Sequence, residues 1–142
     1  MSPAERVQTF ISQMVVWEAG FHATKKSDQY KHNTEYRCRA DADAKARLLE
    51  IFSENLSVKS LNTIGAARLE TLGTGRPSEY DQAVLIDSVN SSGAEWTVET
   101  KRKKGISQRY QYILNVEGGI PKIDGVNVWR NSEEKWERRK AI

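Results

Sequence analysis

Residues 100–119, TKRKKGISQRYQYILNVEGG, decide the fold. From Arg109 onward the side chains alternate. Tyr110, Tyr112, Leu114 and Val116 fall on one face, and Gln111, Ile113 and Asn115 on the other, so a strand is expected over about 107–116. Just before it, KRKKG ends in Gly105, where a tight hairpin needs a positive φ. The preceding stretch 94–102 alternates in the same way, with Trp96 and Val98 opposite Glu95 and Glu99. Two alternating runs joined by a glycine turn make an antiparallel pair.

Working outward, further alternating runs are expected over about 67–72, 83–89 and 120–129, separated by turn signals in GTGRPSEYD, NSSG, EGG and RNSE. These give an antiparallel meander over about 66–130 and a short C-terminal tail. The N-terminal part has the helical period instead. Ser2, Pro3 and Glu5 form a capping box with proline at the first helical position. Val7, Phe10, Ile11, Met14, Trp17 and Phe21 then mark one apolar stripe. A second helix is expected from about Asp41 to Asn55, on Ala44, Leu48, Leu49, Ile51, Phe52 and Leu56, and the polar stretch between is read as a loop or a worn helical extension. The expected fold class is α+β: N-terminal helices, about 2–56, packed on one face of a curved antiparallel sheet in a cone-shaped single domain, 1–142.

A 142-residue chain of 16.2 kDa suits one domain with a core, and four Trp, five Tyr and three Phe supply the large burial units. No basic, apolar and small-residue leader follows Met1, and no apolar run approaches the roughly 20 residues that span a bilayer, so a soluble protein, not secreted by that route and with no membrane partner, is expected. Cys38 is single and reads as an ordinary reduced thiol. The net charge of +3 is uneven, since residues 61–100 carry 2 basic and 6 acidic side chains and residues 101–142 carry 11 and 5. A sheet can set these segments side by side and neutralise them.

His22 and His32 lack metal-ligand spacing, no glycine-rich loop opens a helix, and no GxSxG occurs, so no metal, cofactor or catalytic residue is expected. Two other readings stay open. A pocket enzyme of isomerase or dehydratase type would use Asp124 with Tyr110 or Tyr112. A nucleic-acid-binding module would use Lys101, Arg102, Lys103 and Lys104, but Tyr110 and Tyr112 share their face with apolar residues as core does, so no nucleic acid is expected.

The order helix, helix, meander, with RPSEYDQAVLIDSV (76–89), RYQYILNVEGGIPKID (109–124) and WRNSEEKWERR (129–139), resembles the immunity proteins of nuclear transport factor 2-like fold. Tyr80-Asp81 is similar to the family's YDP, with Gln82 in place of proline. Arg109–Leu114 is similar to its RYRYVL strand, and Lys122-Ile123-Asp124 to its W-x-I-D, with Pro121 or Lys122 where tryptophan is usual. Trp17-Glu18 and LLEIFSENL (48–56) also fall on family positions. The resemblance implies a non-enzymatic cytoplasmic antidote that binds a cognate bacterial toxin domain and occludes its active site. Candidate toxin contacts are Glu70, Glu79, Tyr80, Asp81, Glu95 and Glu99, which gather negative charge suited to steering a basic partner. Sheets of this kind often form homodimers, and no residue in the sequence decides for or against one.

Overall fold

In the computed structural model, which describes all 142 residues, helices precede a six-stranded sheet. Helix α1 spans Pro3–Lys26. The Ser2 hydroxyl accepts from the Glu5 N–H at 3.1 Å, and the Glu5 carboxylate accepts from the Ser2 N–H at 3.4 Å, closing the capping box. The expected stripe, Val7, Phe10, Ile11, Met14, Trp17 and Phe21, is buried.

The polar stretch after α1 is helical, not a loop. Helix α2 covers Asp28–His32 and α3 runs Thr34–Asn55, beginning seven residues before the expected start. Ser27 caps α2 by accepting from the Tyr30 N–H, and Asn33 caps α3 by accepting from the Tyr36 N–H. The apolar period is faint because the first half of α3 buries none of its side chains and is tied to α1 and α2 by hydrogen bonds. There the Trp17 indole donates to the Ala44 carbonyl at 2.9 Å, and the Tyr30 hydroxyl donates to Asp41 at 2.7 Å. The second half buries Leu48, Ile51, Phe52 and Asn55.

The strand expected over 67–72 does not form. Val58–Ser60 is a helical turn, α4; Leu61–Gly65 continues as a π-helical turn, and Ala66–Leu69 as α5. Ile64 and Arg68, one helical turn apart, point inward, and Gly65 lets this segment close on Leu56, whose side chain would stand 3.0 Å from an added Cβ. A run of three apolar residues is too short for period alone to separate strand from helix.

The strands are β1 (Gln82–Val84), β2 (Asn90–Ser92), β3 (Glu95–Arg102), β4 (Arg109–Glu117), β5 (Ile120–Arg130) and β6 (Lys135–Arg138). All pair antiparallel in the order β1-β3-β4-β5-β6, with β2 also on β3. The expected single strand 83–89 is broken by a 3-10 turn at Ile86–Ser88, where the Ser88 hydroxyl takes the Glu99 N–H at 2.8 Å. The expected tail instead supplies β6, which pairs with β5 through Trp129–Trp136.

One irregularity shapes the sheet. Ile113 pairs with Gly125 but Leu114 pairs with Ile123, which leaves Asp124 as the extra residue of a β-bulge. The bulge lets Ile123 and Val126 both face the helices, and both are buried. Val116, expected on the core face, is 54% exposed, because β4 there runs past the helices.

Between helices and sheet the space is filled by rings. Phe10 meets Tyr80 and Tyr112 edge-on at 6.3 and 6.2 Å. The Tyr112 hydroxyl donates to Gln82 Oε1 at 2.9 Å, which also accepts from Thr100 Oγ1 at 2.6 Å. A polar tie joins the layers: the buried Arg6 donates to the Pro121 carbonyl of β5 and to Asn55 Oδ1 of α3, each at 2.9 Å.

Two outcomes follow from these interior groups. Asn55→Ala strands a buried guanidinium N–H, and the urea midpoint should fall by an amount equivalent to about 2–3 kcal/mol. Burial holds the Tyr112 hydroxyl far above its ordinary range and also raises Tyr80 and Tyr110. The unfolded chain ionises its tyrosines near pH 10, so above that pH the native state holds the extra protons and stability falls as pH rises. Tyr112→Phe, which leaves Gln82 bonded to Thr100, should flatten that fall in urea midpoints measured between about pH 8 and 11.

Candidate functional site

Asp124 and the tyrosines, the pair that acid–base chemistry would need, are not brought together. As the bulge residue, Asp124 turns to the start of α4, where Oδ1 accepts from the Ser57 hydroxyl at 2.8 Å and Oδ2 lies 3.7 Å from Lys59 Nζ. Ser57 and Ser60 also bond the Ile123 backbone carbonyl, at 2.9 and 2.5 Å, so the carboxylate completes a structural clasp on the bulge. The Tyr112 hydroxyl is bonded to Gln82 instead. Tyr80 donates to the Ile142 carbonyl at 2.9 Å and accepts from Arg68 Nε at 3.0 Å.

The acidic candidates do not share one surface. Tyr80 is only 4% exposed, so its side chain belongs to the core and not to a contact face. Glu79 pairs with Arg139 at 2.8 Å, Asp81 with Lys103 at 3.8 Å and Glu99 with Arg109 at 2.6 Å. Each partner comes from the basic segment 101–142. Glu70 ends α5 and is exposed on its own, while Glu95 and Glu99 stand on the outward side of β3. The sheet therefore sets the acidic and basic segments side by side.

The basic cluster lies at the β3–β4 hairpin, whose Gly105 has φ +82°. Arg102 turns back to donate to the Pro77 carbonyl at 3.0 Å and Lys103 meets Asp81, while Lys101 points outward from the sheet.

The outward side of β3–β6 carries a constellation that sequence reasoning missed. On these strands Val98, Thr100, Tyr110, Tyr112, Val126 and Val128 face the helices and are buried, so their neighbours face away. In one row Lys101 lies opposite Arg109, and Trp129 opposite Trp136. In the next, Glu99, Gln111, Asn127 and Arg138 line up across four strands. The two half-buried indoles meet at 5.2 Å and 71°. The Arg109 guanidinium lies 5.5 Å from each ring centre while its Nη2 holds Glu99. Asn127 donates to Gln111 at 2.9 Å, and Arg138 crosses Gly125 so closely that an added Cβ would collide with its guanidinium. The signal available in the sequence was parity. Trp129 falls opposite in phase to Val126 and Val128, but Trp136 became its neighbour only once the tail formed a strand.

No helix is long and apolar enough to cross a membrane, and no group of three His, Cys, Asp or Glu side chains converges as a metal site would require.

Among curated proteins and among solved structures, nothing matches this chain. The model of one family, described as NTF2 fold immunity protein, matches residues 2–140. The helices packed on a curved antiparallel sheet are the architecture which that description names, and the match takes in every helix and strand; the chain belongs to the NTF2-fold immunity protein family.

Proposed function

We propose that this protein is a cytoplasmic antidote that binds one cognate bacterial toxin domain in a one-to-one complex and occludes its active site, doing no chemistry itself. Membership of the immunity family carries this reading. The interior is compatible with it, since Phe10, Tyr80 and Tyr112 pack against one another between helices and sheet and the Tyr80 and Tyr112 hydroxyls are bonded to protein groups. Fold alone would not suffice, because the same architecture also serves enzymes.

Of the acidic positions read from the sequence, Glu99 keeps a place in the proposed contact, on the outward side of β3, while Glu95 stands at the far end of that strand. Glu99 acts there by holding Arg109. Glu70, Glu79 and Asp81 lie off that side, and the last two are spent on Arg139 and Lys103.

The decisive experiment is co-expression with the toxic domain encoded beside this chain. Cells should survive, and a one-to-one complex should be recovered by size-exclusion chromatography with light scattering. Cell death in the presence of soluble, folded protein would overturn the reading for that toxin.

A further inference from the structure

We infer that the outward face of β3–β6, centred on Trp129 and Trp136, is the surface that receives the toxin, and that it receives an acidic segment of it. The inference rests on the antidote reading and adds to it the place and the chemistry of the contact.

Helices cover only one side of the sheet. The other side presents two adjacent tryptophans and two arginines, the residue types that supply most of the energy of protein interfaces. Their arrangement is already fixed before binding. Arg109 is held by Glu99 at 2.6 Å and lies against both indoles, and Gln111 and Asn127 bond each other across β4 and β5. A rigid anchor loses little conformational freedom on binding.

Charge selects the occupant. Across the two rows the outward side chains include three cations, Lys101, Arg109 and Arg138, against one acid, Glu99, which is already paired. The surplus is positive. A carboxylate-bearing segment of the partner can therefore reach Lys101 and Arg138 while its apolar groups cover the indoles.

Two other occupants and one other surface fit less well. A single-stranded nucleic acid needs free aromatic planes, but the two rings stand at 71° to each other with one guanidinium against both. A second copy of this chain meeting face to face about a two-fold axis would oppose the same unpaired cations. The 580 Å³ groove between α1 and α3, where Val16 is 73% exposed, mixes Arg39 and Arg47 with Asp43, and nothing in it selects a partner.

The test uses the full chain and a catalytically inactivated form of the neighbouring toxic domain, with affinity and rates read by surface plasmon resonance. Trp136→Ala should weaken binding by roughly 30-fold or more. The double variant K101E/R138E, which leaves every buried side chain in place, should slow association by roughly tenfold at low salt, with the effect shrinking as salt rises. If Trp136→Ala lowers the urea midpoint, the double variant alone decides. Wild-type binding with both variants within about twofold of it would overturn this surface while leaving the antidote reading intact. Loss of binding in Val16→Glu but not in these variants would overturn it in favour of the helical groove. A single-stranded oligonucleotide, or a second copy, that depends on Trp136 while toxin affinity does not would overturn it as well. Failure of the wild type to bind any neighbouring toxic domain would remove the antidote reading itself.

Discussion

Arg6 is the point from which the layers take their register. A guanidinium in a protein interior is costly unless its N–H groups are satisfied, and Arg6 meets the condition by reaching one carbonyl of β5 and one side chain of α3. Asn55 in turn donates to Gln13 on α1 and to the Ile51 carbonyl on its own helix. These bonds have direction, whereas the surrounding contacts of Phe10, Phe52, Leu48 and Leu114 do not. Apolar burial drives the helices onto the sheet, and the Arg6–Asn55 tie selects where α1 and α3 come to rest.

The second fixed point is the bulge at Asp124. Because Ser57, Ser60 and Lys59 hold it from α4, the chain leaving α3 is tied to the middle of β5 before it turns toward β1. The bulge also changes the phase of β5, which brings Gly125, Asn127 and Trp129 to the outward side together. A carboxylate that could have served as a base is thus an architectural residue, and its influence on function is exerted through the orientation of its neighbours.

How much of this was legible in the sequence depended on burial. The stripe of α1 and the alternation of β3, β4 and β5 were plain, because one side of each faces a core and the apolar residues repeat at the matching period. Where only a narrow edge is buried the pattern failed. The first half of α3 reads as polar, yet it is helical, with Asn33 capping its start and Ser27 capping the short α2 before it. The segment 66–69 imitated a strand over too few residues. Among the candidate contacts, Tyr80 carries a motif resemblance but is needed inside, and the acidic residues gathered by sequence position were dispersed by the fold and matched with Arg139, Lys103 and Arg109. Only the folded sheet places Trp129 against Trp136, because their adjacency is set by strand pairing across a turn.

Strand alternation has a consequence for how such a protein can change its target. Around Gln111 on β4 and Asn127 on β5 the flanking residues are committed to the interior, so the two sets occupy different environments and answer to different constraints. Gln111, Asn127 and Arg138 lie outside the main core cluster, whereas Tyr110, Tyr112 and Val128 belong to it. Gly125 breaks the separation, since its missing side chain is what gives Arg138 room, and so does Ile113, which is buried on this side. On the contact proposed above, a lineage that met an altered toxin could rewrite this side one residue at a time, keeping a folded protein at every step.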